Sequence, residues 1–371
     1  MVCRANIRWA RYGHDRPNSA GNSWRETLQT TADFRGSNHD DRSSKTMKHW
    51  SHWIRVGLGI ALIVLLVVQF ADTRSVWKTI VAAHPLPLAG SIVIYFVGVM
   101  LSCLKWRLLL RAQGIRAPLT RLVQWYLMGA LAGTLLPSDI GGDLGRGYAA
   151  ARAIGNQAGV WISVVMERLT GLLTLVAMAS LALALIPDVL DALVWLPIGA
   201  GLGMALTAIG FAALSGFLPL RLAHAPHWME PIIAQLQDVI TPYRNNLRTI
   251  VACLGLSAMF HAGNALSFWL LAVSVKPDAP VATIILWPLV GVFGLLPLTP
   301  GGLGVREGVT AVLLMRVGLT PDQAVAAAMI ARILLLLCSL TGLPTLVATI
   351  SSVDKRISTI SKKEMPDDAQ A

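Results

Sequence analysis

Long apolar runs constrain this chain more than any other feature. Ile54 to Phe70, Val160 to Ile186 and Ala324 to Leu337 are near-continuous stretches of hydrocarbon side chains. Such runs suit a bilayer core roughly 30 Å thick, where an unpaired peptide group is costly and only helices or closed barrels satisfy the backbone. The short alternating segments of a barrel are absent from the sequence. The expected fold class is therefore an all-α polytopic integral membrane protein. A charged fraction of 14%, against about 25% in soluble domains, excludes a soluble globule.

A formal charge of +11 would raise nucleic acid as a partner for a soluble protein, but most Lys and Arg here flank hydrophobic runs, where they set topology. Anionic lipid is the expected counter-charge, and no nucleic acid. Cys103, Cys253 and Cys338 sit in apolar runs and Cys3 in a polar segment, too scattered for a disulfide frame or a thiolate metal site. They read as small core residues, and neither metal nor cofactor is expected.

Residues 1–46 are polar without apolar periodicity and are expected to be disordered, with Met47 an alternative start that gives a short basic leader. Six full spans are expected over 54–71, 88–104, 159–186, 193–217, 249–275 and 323–350, within a membrane domain over 47–350 and ahead of a polar tail over 351–371. Two shorter segments, 122–137 and 281–297, carry Pro and are followed by Gly-Gly. If both re-enter without crossing, 23 basic residues lie inside and five outside; if both cross, the numbers are 19 and nine. Basic residues are retained on the cytoplasmic side, so re-entry fits better and puts both termini in the cytoplasm. Trp50, Trp53, Trp77, Trp106, Trp161, Trp195 and Trp228 fall near span ends, as interfacial anchors do. Segment 226–248, apolar every three or four positions, reads as an in-plane amphipathic helix that serves either as a linker or as a gate over a lipid entry site.

A duplicated string carries the most information. Leu135-Leu136-Pro137-x-x-x-Gly141-Gly142-x-x-x-Arg146 recurs 160 residues later as Leu295-Leu296-Pro297-x-x-x-Gly301-Gly302-x-x-x-Arg306. Each copy precedes a Gln-Ala pair, Gln157-Ala158 or Gln323-Ala324, and then a span bearing Arg168 or Arg332. The halves, about 88–217 and 249–350, read as an internal repeat. Under the topology above the two re-entrant broken helices enter from opposite sides, an inverted repeat of the transporter kind with its site near the midplane. Within each copy, Pro ends one half-helix, the glycines permit a reversal, and the next half-helix begins with free N–H groups. Arg146 and Arg306 then fall about one turn in, where a guanidinium can share a phosphate with those donors. Gly141, Gly142, Gly301, Gly302, Arg146 and Arg306 are thus candidate substrate-binding residues for an anionic phospholipid or a polyprenyl-phosphate-linked lipid. The competing reading is that Gly-Gly only packs helices closely while the Arg snorkels.

Charges within spans cost roughly 2.5–3.5 kcal/mol each on insertion scales. Glu167, Arg168, Arg332 and Glu307 are therefore further candidates. Two readings stay open: contact with a headgroup, or an ion pair of Glu167 with Arg332 or Arg168 that locks the bundle. His261 and Asn264, one turn apart, read first as partners in helix-to-helix hydrogen bonds, and Asp139 and Asp143 as helix caps.

Leu136-Pro137 through Gly141-Gly142-Asp143 to Arg146, then Glu167-Arg168, and later Pro297-Leu298-Thr299-Pro300-Gly301-Gly302-Leu303-Gly304-Val305-Arg306-Glu307-Gly308 resemble the lysylphosphatidylglycerol synthase transmembrane-region family, also called the flippase-like domain family. The likeness covers roughly residues 54–350. It implies a multi-pass protein of the bacterial inner membrane, similar to the membrane half of synthases that make and translocate aminoacylated phosphatidylglycerol. Those synthases continue into a soluble aminoacyl-transferase domain, whereas this chain stops about twenty residues after its last span. The expectation is thus lipid movement, with no catalytic residues, rather than lipid aminoacylation. Two alternatives stand beside it: a non-catalytic membrane partner of a separate lipid-modifying enzyme, and a membrane enzyme using Asp139, Asp143, Glu167 and Glu307 on a headgroup.

Overall fold

The computed structural model describes residues 57–66, 68, 71–135, 139–185, 202–205, 207, 209, 241–243, 246–295 and 299–351. The expectations for 1–46, for the start at Met47, for the tail, and for most of 193–217 and 226–248 lie outside these residues, as do Pro137 and Pro297.

Among the described residues every regular element is helical. In chain order the principal ones are α1 (Gly57–Leu66), α2 (Thr73–Val81), α3 (Pro85–Ala112), α4 (Leu119–Leu135), α5 (Asp139–Ile154), α6 (Gln157–Leu185), α7 (Leu247–Val275), α8 (Thr283–Phe293), α9 (Val305–Arg316) and α10 (Pro321–Ser339). Polar residues set the starts. The Asp72 carboxylate accepts the Arg74 N–H ahead of α2, and Asn246 accepts the Thr249 N–H at α7. At α10, Thr320 and Gln323 cap each other reciprocally, so the Gln of the second Gln-Ala pair is part of a capping box.

Among the described residues four helices are long and apolar enough to cross a membrane: α3, α6, α7, and α10 with its continuation, Pro321–Ser351. Between them, α4 has 17 residues and α8 has 11. At 1.5 Å per residue their described lengths come to about 26 and 17 Å. A long, short, short, long order therefore occurs twice, as α3 to α6 and as α7 to α10. The two leading helices run antiparallel: Gly90 lies against Leu270, Ile94 against Gly263, and Gly98 against Phe260. The buried apolar residues form two main clusters. One joins Val99 to Leu110 with Leu122, Met128, Ala150 and Val160 in the first four helices. The other joins Phe268, Leu286, Val290, Leu314 and Val325 in the second four.

Cys103, Cys253 and Cys338 are buried free thiols within these helices, as expected. Trp77 is exposed, but Trp106 is fully buried, its indole N–H donating to Ser163 Oγ at 2.9 Å. Trp106 is therefore no interfacial anchor. The reason is that α3 runs eight residues beyond the expected span end, carrying Lys105 and Trp106 into the packed interior.

Candidate functional site

The first copy builds a buried hub. Arg146 sits two turns into α5, 3% exposed, with its guanidinium carbon 4.8 Å from the ring centroids of both Trp106 and Tyr126. Its Nε and Nη2 donate to Asp143 Oδ1 at 2.9 and 2.8 Å, and its Nη1 donates to Glu167 Oε2 at 2.5 Å. Asp143 Oδ2 in turn accepts from Arg168 Nε. Lys105, also buried, donates to Ser257 Oγ at 3.1 Å and the Glu167 carbonyl at 3.2 Å, and lies 4.0 Å from Glu167 Oε1. Removing these charges from water is costly, and the paired geometry is what offsets that cost.

The second copy builds an elbow. A 3-10 turn over Pro300–Gly302 leads into α9 with Gly301 at φ 56°, Gly302 at φ 68° and Gly304 at φ 81°, a left-handed path that glycine takes without strain. Glu307 holds it from both sides: its Oε2 accepts the Gly304 N–H at 2.7 Å, and its Oε1 accepts from Arg332 Nε on α10. Arg332 Nη1 and Nη2 each donate to the Gly301 carbonyl at 3.2 Å. Arg306, in the first turn of α9, lies against α8, where a Cβ at Gly294 would stand 2.9 Å from its Nε and Nη2.

Both copies face one cavity of about 370 Å³, within the roughly 300–1,000 Å³ typical of small-molecule sites. Arg146, Arg168, Arg306 and Arg332 line it together with Asp143 and Glu307. Ile94, Phe260, Phe268, Leu334 and Leu335 supply apolar wall, and Asn264 and the buried donors Tyr95 Oη and Trp287 Nε1 also belong to the lining residues. Six of the candidates are thereby brought to one place or directly behind it, the four arginines with Glu307 and Glu167, since Glu167 abuts the wall through Arg146.

Several expectations change. Glu167 pairs with Arg146 and Lys105, not with Arg332 or Arg168; those two bond to the acid 25 residues earlier, Glu307 and Asp143. Asp143 is an ion-pair centre rather than a cap, because its side chain points to the guanidinium groups of α5 and α6. Asp139 is the first residue of α5. Gly141 and Gly142 do not form the reversal; they lie inside α5, where a Cβ on Gly142 would come 2.3 Å from the Gly129 carbonyl oxygen. In this copy the glycines pack helices closely, but Arg146 is buried rather than snorkelling. His261 donates from Nε2 to the Gly171 carbonyl on α6 at 3.1 Å, the expected interhelical bond, whereas Asn264 bonds to Phe260 of its own helix and faces the cavity. Lys105 escaped notice because it stands at the edge of an apolar run and counts as a loop charge; Trp106 and Tyr126, 40 and 20 residues from Arg146, carry no local signal of stacking on it.

The match to known proteins agrees with the motif resemblance. The sequence model described as "Lysylphosphatidylglycerol synthase TM region" matches residues 53–342, well over half of the chain. A "UPF0104 membrane protein" of Methanothermobacter thermautotrophicus is 23% identical over 326 residues, covering 80% of this chain and 91% of that protein. The chain belongs to the lysylphosphatidylglycerol synthase transmembrane-region family.

Proposed function

We propose that this member of the lysylphosphatidylglycerol synthase transmembrane-region family takes the anionic headgroup of a lipid into the cavity between its two halves and moves it across the inner membrane. The observation that carries the reading is that arginines from both copies of the duplicated string line one cavity whose remaining wall is largely apolar. A phosphate would meet planar guanidinium forks on one side while its hydrocarbon stays against Phe260, Phe268 and Leu334. Arg168, Arg306 and Arg332 are the headgroup contacts in this reading. Arg146 is a positioning residue, because three of its five N–H groups already serve Asp143 and Glu167.

Movement across the bilayer requires that the site open to each side in turn, and the proposed inverted repeat supplies two related halves for that. The antiparallel packing of α3 and α7, the leading helices of the two copies, supports the inversion, as does the basic-residue asymmetry with both termini cytoplasmic. A charge-assisted hydrogen bond contributes about 1.5–3 kcal/mol, so losing one arginine contact should slow transport about tenfold or more. The test is scrambling of fluorescent phosphatidylglycerol in proteoliposomes, beside a zwitterionic analogue and the Arg168→Ala and Arg306→Ala variants. Protein-dependent scrambling of the anionic lipid that falls in both variants is expected. Scrambling indifferent to both arginines, with folding intact, would remove the cavity from the mechanism.

A further inference from the structure

A second group of arginines stands apart from the central cavity. The loop after α3, the first turns of α4, the last turns of α5 and the continuation of α10 enclose a groove of about 610 Å³. Arg116, Arg121 and Arg152 line it with Trp125, Tyr148 and Thr349, none of which lines the central cavity. The three arginines come from a loop and two helices, so packing rather than sequence adjacency brings their planar forks to one place. Such forks match phosphate oxygens, which more than one guanidinium can share.

What leads up to the groove decides the kind of anion. Along α5, Leu144, Tyr148 and Arg152 follow one another at intervals of four and share one exposed face. That face passes from hydrocarbon through a phenol to a guanidinium, and Arg152 Nη1 donates to Tyr148 Oη at 3.2 Å. On the continuation of α10, exposed Leu343 and Val347 precede Thr349 by less than two turns. An amphiphile lying along both helices keeps its chains on these apolar residues and its phosphate among the arginines, whereas a free anion meets the arginines alone. Trp125 and Tyr148 are ring types that favour the headgroup level. Re-entry of the two short segments also puts 105–121, 138–158 and the chain after 350 on the cytoplasmic side, and the groove lies where those three segments meet.

We propose that this groove binds the phosphate headgroup of an anionic phospholipid of the cytoplasmic leaflet, held by Arg116, Arg121 and Arg152 at a site separate from the central cavity. Residues 352–371 follow directly on the α10 continuation and are the competing occupant, but their four acidic side chains are matched by four basic ones.

The test places the full chain in phosphatidylcholine nanodiscs with a trace of phosphatidylglycerol that carries a diazirine early in one acyl chain. Phosphatidylcholine with the same diazirine is the control, and crosslinked peptides are located by mass spectrometry. At equal probe concentration, phosphatidylglycerol should label the stretches around Leu144 and Val347 about tenfold more than phosphatidylcholine does. Arg116→Gln, Arg121→Gln and Arg152→Gln together should bring that labelling down to the phosphatidylcholine level; all three side chains are exposed, so the variant should fold. Arg306→Ala, in the central cavity, should leave groove labelling unchanged whether or not it impairs transport, so this site and the transport reading fail separately. Equal wild-type labelling by the two probes overturns the proposal even if the triple variant fails to fold, and so does labelling that survives in a folded triple variant. Suppression by inorganic phosphate at the lipid's own concentration overturns the lipid-borne assignment. Labelling that appears only once residues 352–371 are removed means that the tail fills the groove, and overturns it as well.

Discussion

Arg146 and Arg306 hold the same position in the duplicated string, yet they live in opposite surroundings. Arg146 lies two turns into its helix, 3% exposed, between two aromatic rings and two carboxylates. Arg306 lies in the first turn of its helix, on the cavity wall and against Gly294, while the neighbouring Glu307 serves Arg332 and the elbow backbone. One copy has spent its motif arginine on holding four helices together. The other holds its motif arginine beside the left-handed glycine elbow, on the wall of the cavity. The two strings share the spacing of residue types but not their duties, and the acids explain why: Asp143 precedes its motif arginine by three residues, whereas Glu307 follows its own by one. Moving a carboxylate by one helical turn changes which guanidinium it meets.

The comparison breaks most completely if the copies are not inverted, and that test has an all-or-none readout. With the native cysteines replaced, a single cysteine at exposed Ala158 should resist an impermeant maleimide in intact spheroplasts, and one at exposed Arg316 should react fully. The same accessibility at both positions rules out opposite orientation. Next in size is the contrast between the motif arginines. Arg146→Ala strands Asp143 and Glu167 in the interior, and removal of one member of a buried pair costs about 3–5 kcal/mol. Its folded yield and melting temperature should drop sharply, while Arg306→Ala should fold normally and lose at least tenfold in scrambling rate.

A glycine pair sharpens the same contrast at smaller cost. Gly142→Ala forces α4 and α5 apart at Gly129 and should destabilise by about 1–3 kcal/mol in a thermal melt. Gly294→Ala instead pushes on the Arg306 guanidinium, a movable end, so transport should fall severalfold with little change in melting. Equal stability losses would mean that Arg306 is as fixed as Arg146. The smallest effect is expected at Arg168, whose side chain is 54% exposed although bonded to Asp143. Arg168→Lys should leave stability within about 1 kcal/mol of wild type and retain part of the transport rate, with Arg168→Ala retaining less.

Much of the fold was legible because membrane helices announce themselves locally. The runs beginning at Val160 and at Ala324 lie in helices α6 and α10. The site was legible only as an inventory. Arg146, Arg168, Arg306, Arg332, Asp143, Glu167 and Glu307 lie in or against the cavity, but the pairings expected for Glu167 and the capping expected for Asp143 were wrong. Lys105 went unnoticed because α3 continues past its apolar run, and a helix end is poorly marked where the next residues are Trp106 and Leu108 rather than Gly or Pro.

Sequence by itself determined the class of protein, the placement of the four long helices described, the recurring string, and the set of ionisable residues that must be compensated inside the bilayer. These follow from local physics: a bilayer rejects an unpaired backbone and an unpartnered charge wherever they occur. Tertiary structure alone decided that the first Gly-Gly is a packing contact and the second an elbow, that Trp106 and Tyr126 enclose Arg146, and that both copies open onto one cavity. A one-dimensional pattern fixes the period of a helix but not its rotation against its neighbours. Side chains as long as arginine select among carboxylates 3, 21 or 25 residues away only when that rotation is set.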